Sequence, residues 1–337
     1  MPDSEIHAGI AYNVHESRIS GSDESLSESS VVQAAHDVSG ALRNAGYNPT
    51  LVPLRKSLPG FMDRLKSHGF DIIINLCEGF RGKPQWEFTI AGLFEMEGIP
   101  FTGNKADSLL LCQDKFKTKA ILSASGLSTP PYILMSNPDQ SIELAFPLIV
   151  KPNNEDASLG IYSDSVVWNK DALRRQAGKI IRKYNQPALV ESFVKGREFN
   201  VAVRDLGTPH TLPISEIDFS DMPGDVPHIC GYEAKWFENH ILYNASKPVC
   251  PARVPASLRK TLQKAAIDAF RAVGCRDYAR VDFRVDDAGE AYILEVNPNP
   301  DISLNAGYAR ALAAASIRYE IFWHELIQHA LQRKLDL

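Results

Sequence analysis

The sequence predicts a mixed α/β and α+β protein built in three parts, on three observations. Over the first third, apolar runs alternate with helical spacings, the pattern of a parallel sheet covered by helices. In the middle, short strand candidates follow one another with a single helix between them, which reads as an antiparallel-leaning α+β module. The last part carries an amphipathic hairpin framed by helices. The divisions fall at 1–113, 114–205 and 206–337.

Taken in order, "HAGIAYNV" is a short apolar run suited to a strand, and the small, polar "SGSDESLSESS" reads as a loop. From Ser29, the residues Val31, Val32, Ala35, Val38, Leu42 and Ala45 recur at helical spacing, and Gly46 stands where a helix C-cap would. "PTLVPL" and "FDIIINL" read as buried strands with the helix "GFMDRLKSHG" between them, and "FTIAGLFEMEGIPFTG" as helix, turn and strand. "DKFKTKAILSASG" is a helix ended by Gly126, and "TPPY" marks a linker. "FPLIVKP", "GIYSDSVVW", "PALVESFV", "EFNVAVRD" and "HTLPISEIDF" are strand candidates, with a helix from about Asn169 to Tyr184. A helix to Val273, the hairpin "ARVDFRVDDAGEAYILEVNP" and further helices complete the chain.

Composition narrows the class. Hydrophobic residues make up 44% and charged residues 23% of 337, ordinary values for a globular protein. Lys and Arg total 36 against 41 for Asp and Glu, a net charge of −5 with no basic patch, so nucleic acid and anionic membrane are not expected partners. The five cysteines are widely spaced with no CxxC pair, which reads as free thiols in a reducing compartment. No basic segment followed by an apolar run opens the chain, and no stretch approaches the roughly 20 apolar residues that span a bilayer. A cytoplasmic enzyme is expected.

The hairpin is the first candidate for chemistry. With a two-residue loop centred on Asp287 and Ala288, Arg280 lies opposite Glu295 and Asp282 opposite Ile293. Alternation then puts Val281, Phe283, Val285, Tyr292, Leu294 and Val296 on an apolar face, and Arg280, Asp282, Glu295 and Asn297 on the other. Two carboxylates and an amide are hard oxygen ligands of the kind magnesium takes, with phosphates and water completing its shell. A solvated polar face with a plain salt bridge explains the same residues. Lys151 ends a buried strand and is followed by "NNEDASLG", a small polar loop able to offer backbone N–H groups and the Ser158 hydroxyl to phosphates, though an ordinary interstrand loop would look alike. Glu191 and Glu198 flank a turn at Lys195–Gly196, where acids can accept bonds from an adenine amine or ribose hydroxyls; an ordinary surface hairpin is the plain alternative.

In order and spacing, "GLFEMEGIPFTG", "DKFKTKAILSASGL", "FPLIVKPNNEDASLG", "ALVESFVKGREFNV", "YEAKW" and "CRDYARVDFRVDDAGEAYILEVNPNP" resemble the D-alanine–D-alanine ligase family of the ATP-grasp superfamily. The resemblance spans about Ile72 to Asn305. It implies an ATP-grasp fold, with ATP gripped between the central and C-terminal domains and a substrate-side N-terminal α/β domain. It implies Lys115, Lys151 and Lys235 at the phosphates, Glu191 with the backbone of Phe193 and Val194 at the adenine, and Glu198 at the ribose. Asp282, Glu295 and Asn297 are implied as ligands of two Mg2+ ions, a role Mn2+ can also fill. Arg280 is implied as the oxyanion partner, with Ser158 and Lys235 beside it among the catalytic groups. The implied reaction is ligation of a carboxylate to an amine through an acyl phosphate, releasing ADP and phosphate. Small-molecule carboxylate and amine substrates are implied, with a peptide as one alternative, and a homodimer is the assembly common among family members.

The substrate side departs from the family. "IAYNVHESRISGSDES" lacks the Gly-rich segment with its Ser and Glu, so Glu16 is a candidate for the ammonium-holding role. "CEGFRGKPQWE" replaces the "HG…GEDG" motif and offers Glu78, Arg81 and Glu87 to a substrate ammonium or carboxylate; Glu78 could alternatively cap the helix starting near Gln85. Ala157 replaces the first of two serines, Trp236 a tyrosine, and "NPNPDISLNAG" the "NTSPGMT" run, which makes Asn299 and Asn305 candidates for substrate contact. Three readings follow: a ligase for amino acids, a peptide or a related metabolite; a D-alanine–D-alanine ligase proper; and a phosphotransferase with no amine acceptor. A non-catalytic nucleotide-binding protein would be expected to lack some of the metal ligands.

Overall fold

A computed structural model describes residues 6–14 and 24–333, with side chains for all of these except 24–29. The first part is a β-α-β array: β1 (Ala8–Asn13), α1 (Glu24–Asn44), β2 (Thr50–Leu54), α2 (Leu58–His68), β3 (Ile72–Leu76), α3 (Glu87–Met96), β4 (Phe101–Thr102) and α4 (Ala106–Gln113). Its strands are parallel in the order β2-β1-β3-β4. Every residue of β3 is buried, as expected of a strand covered on both faces. The helix α2 is bounded by local chemistry: Ser57 accepts from the Gly60 N–H, and Gly69 closes the end with a left-handed φ of 58°. The helix α1 begins at Glu24, inside the segment expected to be a loop; the polar tract "ESLSESS" joins the helix whose apolar stripe follows it.

The helix α5 (Lys115–Ala124), capped by Asp114, leads into the middle sheet: β5 (Tyr132–Met135), β6 (Leu148–Pro152), β7 (Val166–Val167), α6 (Lys170–Tyr184) and β8 (Ala188–Ser192). The strands are antiparallel in the order β5-β8-β6-β7, and α6 lays Leu173, Ala177 and Ile180 on their core. Of "GIYSDSVVW" only Val166 and Val167 pair as strand. Tyr132, read with the linker, starts β5.

The third sheet contains β9 (Arg197–Asp205), β10 (Pro209–Thr211) and β11 (Ser215–Asp218). Then come α7 (Tyr232–Trp236), α8 (Ile241–Ala245), β12 (Lys247–Val249), α9 (Ala256–Ala272), β13 (Tyr278–Val285) and β14 (Ala291–Asn297). Its order is β12-β11-β9-β13-β14, with β10 on β9. The helix α9 buries Leu262, Ala266 and Phe270 against Val281, Phe283 and Val285. Finally, α10 (Gly307–Ala314) and α11 (Tyr319–Gln332) return to the first part, where Trp323, Phe322 and Tyr308 share one core with Ile10, Val38 and Ile74.

The hairpin register differs from the sequence expectation. Asp282 lies opposite Glu295 and Arg280 opposite Asn297, while Phe283 pairs with Ile293, so Leu294 is an extra residue in a β-bulge. The loop is longer than two residues: Gly289 N–H donates to Asp286 O, Asp286 N–H to Glu290 O, and Gly289 takes φ 88°. The bulge breaks strict alternation, so Ile293 and Val296 both reach the core while Tyr292 and Leu294 stay partly exposed. The grouping of Asp282, Glu295 and Asn297 survives because the bulge resets the phase of β14 just before Glu295.

Candidate active site

The site forms where three elements converge on β14. Lys115, at the start of α5 and 4% exposed, donates to the Glu155 carbonyl and lies 3.2 Å from Asp156 Oδ1 and 3.7 Å from Glu295 Oε2. One ammonium therefore ties the loop after β6 to the hairpin. Burial opposes the charge on Lys115, but Asp156 and Glu295 more than offset it and hold the lysine above its ordinary range. Glu295 is the mirror case. Burial works against its charge, yet Lys115, Lys151 and Arg280 hold it below the usual carboxylate range.

Behind this pair lies a second, fully buried cluster. Glu191 sits between Lys119 (3.0 Å) and Lys151 (3.1 Å). Burial pulls Lys119 down to about 8, with Lys151 adding repulsion and Glu191 opposing. Lys119 also donates to Thr129 Oγ1 at 2.7 Å, and its Nζ lies 3.5 Å from the Ile293 carbonyl, beside the bulge. Phe193 and Val194 follow β8 directly, and the Phe193 N–H is committed to the Pro147 carbonyl at 3.0 Å. Glu198, on β9, accepts from Arg284 Nη2 at 2.9 Å; burial raises its pKa and Arg284 opposes this.

On the hairpin's polar face, Arg280 grips Asp282 through two bonds of 2.8 and 2.7 Å, and Asn200 Nδ2 donates to Asp282 at 2.7 Å. Asn297 Oδ1 accepts from Asn299 N–H at 3.2 Å. Two ionisable carboxylates and an amide oxygen on adjacent rungs are donors that suit a hard divalent cation. Among the described residues no group of three or more His, Cys, Asp or Glu could hold a metal ion.

The loop after β6 carries two adjacent residues with left-handed φ, Ala157 (53°) and Ser158 (62°). They are held from α7 and the residues before it: Trp236 Nε1 donates to Ala157 O and Ser158 Oγ to Cys230 O, each at 2.9 Å. The Ser158 hydroxyl is thus engaged in closing the loop. Beside the loop opens a cleft of about 630 Å³, lined by Glu78, Lys235, Trp236, Arg280, Asn297 and Asn299 among others.

The remaining substrate candidates divide. Asn299 Nδ2 donates to Glu87 Oε1 at 2.7 Å at the cleft wall. Arg81 instead donates to the Lys56 carbonyl at 3.0 Å and stacks on Phe80, outside the cleft lining. Asn305 is exposed, its carbonyl taken by Arg310, and is also outside that lining. Both residues lie in turns and are exposed. Glu78 does not cap α3, which starts at Glu87 after Trp86 with no side-chain cap. Glu16 lies outside the described residues. Glu87 and Asp301, the latter within the 299–307 stretch expected at the substrate, do line the cleft; Lys119, Asn200 and Gln113 were missed. Of these, only Asn200 had a readable signal, its two-residue spacing from Glu198 on one strand face.

A nucleotide-gripping pair of sheets with oxygen donors on the closing hairpin defines the ATP-grasp class. In keeping with this, the fold matches the D-alanine–D-alanine ligase of Bacillus anthracis complexed with ATP, with a TM-score of 0.74, 23% identity and coverage of 97% of this chain and 98% of that one. The VanG D-Ala:D-Ser ligase of Enterococcus faecalis superposes with a TM-score of 0.73 at 19% identity, over 96% and 99% of the two chains. A family model described as "D-ala D-ala ligase C-terminus" matches residues 121–328. Similar sequences include the uncharacterized protein y4sG of Sinorhizobium fredii (31% identity over 308 residues, 89% of this chain and 88% of that one). Another is the D-alanine–D-alanine ligase of Geobacter sulfurreducens (32% over 272 residues, 78% and 77%). The chain belongs to the D-alanine–D-alanine ligase family. It is an ATP-grasp ligase that forms a carbon–nitrogen bond, and its family uses ATP and divalent metal ions. No helix among the described residues is long and apolar enough to cross a membrane.

Proposed function

We propose that the enzyme couples an amino acid, a peptide or a related carboxylate to an amine through an acyl phosphate, with a substrate pocket different from that of a D-alanine–D-alanine ligase. The observation that supports the reading is Lys115 bridging Asp156 and Glu295 beside a cleft walled by Glu78, Trp236 and Asn299. In the first step a substrate carboxylate oxygen attacks the γ-phosphorus and the bond to ADP breaks. In the second the amine attacks the acyl carbon, the phosphate leaves with the C–O bonding pair, and the nitrogen loses a proton. In this reading Lys115 and Lys151 neutralise phosphoryl charge, and Arg280, always cationic, supports the tetrahedral oxyanion. Asp282, Glu295 and Asn297 would hold the divalent ions, two in this reading, which supply further charge neutralisation at the phosphates. Glu191 and Glu198 are assigned to the adenine and ribose side. In this reading the loop after β6 closes over the acyl phosphate and keeps out water that would otherwise hydrolyse it.

The names of the relatives favour a second reading, D-alanine–D-alanine ligation itself. Phosphate release with ATP, Mg2+ and paired amino acids or peptides, followed by product mass spectrometry, decides between them. A D-alanine dipeptide as the best product would select the second reading. ADP release with no ligated product would reject both. Lys151→Ala is expected to weaken ATP binding by roughly tenfold or more, the scale of losing one charge-assisted contact; unchanged nucleotide affinity would remove Lys151 from the phosphate site.

A further inference from the structure

Glu78 is not a casual surface acid. The Asn13 side chain clamps the peptide that follows it, Oδ1 accepting from Glu78 N–H and Nδ2 donating to Gly79 O, each at 2.6 Å. Gly79 has φ 147°, and a Cβ there would fall 2.6 Å from Lys83 O, so only glycine allows this turn. The clamp presents the Glu78 carboxylate to the cleft, where Glu87 and Asp301 also line the wall. Asp301 stands where the family run "NTSPGMT" has glycine, and so adds a side chain to the site.

A second observation is independent of these acids. Gln113, at the end of α4, lines the same cleft at 7% exposure, and its amide nitrogen has no hydrogen-bond partner. A buried donor left unpaired is destabilising, so an oxygen acceptor from a ligand is the natural complement. The cleft, at about 630 Å³, is also in the range that holds small-molecule ligands.

We propose that this cleft selects a substrate carrying a second amino group, as in a diamino acid or a peptide with a basic side chain, with Glu78 and Asp301 pairing the extra cation and Gln113 donating to a carboxylate or carbonyl oxygen of the same molecule. The inference rests on the ligase reading above and names its substrate class.

The test measures ADP formation and ligated product with ATP, Mg2+ and either alanine pairs or pairs containing lysine or ornithine, in both configurations. The diamino acids should be used with kcat/KM at least about tenfold above alanine. Glu78→Gln should raise their KM by about tenfold, with the KM for ATP unchanged. Gln113→Met should raise the melting temperature of the empty enzyme while weakening the diamino substrate, a split that a purely structural glutamine would not give. Ligated product from alanine pairs only, or a Glu78→Gln enzyme with unaltered lysine KM, overturns this inference and leaves the ligase reading intact. ATP turnover with no ligated product overturns the ligase reading; thermal stabilisation by lysine but not alanine, lost in Glu78→Gln, would then still support the cation site, and its absence would overturn it.

Discussion

At the scale of single residues, the site is governed by shared counter-charges in a dry setting. Glu295 and Glu191 are each ringed by cations, so both stay ionised although burial opposes it. The two carboxylates are nevertheless not equivalent. Glu191 is 1% exposed and already paired on both sides, whereas Glu295 shares Lys115 with the loop and its side chain stays 32% exposed. Glu295→Ala is therefore expected to lower turnover by roughly a hundredfold or more, the scale of one preorganised electrostatic contact, with an unfolding midpoint close to the parent's. Lys119→Met removes one of two cations on a buried carboxylate and should cost stability of about 3 kcal/mol in denaturant unfolding, toward the low end for a broken buried pair because Lys151 remains. A midpoint unchanged by Lys119→Met would mean that the pair is not desolvated in solution.

At the scale of elements, two backbone irregularities aim the chemistry. The bulge at Leu294 lets β14 send Ile293 and Val296 into the core and still present Glu295 and Asn297 beside Asp282 and Arg280. The turn between β8 and β9 is equally tight: Gly196 has φ 139°, and a Cβ there would collide with the Val285 carbonyl at the end of β13. Gly196→Ala is thus expected to destabilise by at least roughly 1–3 kcal/mol, read as a shift in the denaturation midpoint. It should also weaken nucleotide binding, because Glu191 and Glu198 sit on the two strands this turn joins. An alanine variant with parental stability would show that the turn relaxes freely.

At the scale of the whole molecule, the sheets meet through shared side chains. The C-terminal helix α11 completes the core of the N-terminal sheet, and Arg333 beyond it pairs with Asp277 and donates to the Phe101 carbonyl. Asp277 in turn accepts from Gly103 N–H at 2.7 Å. ATP with Mg2+ should bind across the middle and third sheets and so stabilise the molecule as a unit. At a hundredfold excess over Kd the gain is about 2.7 kcal/mol, seen as a higher melting temperature that chelation of the metal reverses. An ATP-dependent rise that survives chelation would separate nucleotide binding from the metal.

By itself, the sequence determined the periodicities, the caps and the local chemistry. Strands and helices of the first part follow from apolar spacing, Gly69 ends α2 because its φ is left-handed, and Asp282, Glu295 and Asn297 group by strand alternation and family resemblance. Tertiary structure decided what depends on contacts between segments distant in sequence. The bulge at Leu294, the sharing of Glu191 by Lys119 and Lys151, and the joining of α11 to the first core are of this kind. So are the outward turn of Arg81 and the convergence of Glu78, Gln113 and Asp301 on one cleft. Local backbone preference acts over a few residues and is written in composition; register, burial and shared counter-charges are set only when remote segments compete for the same space and the same cation.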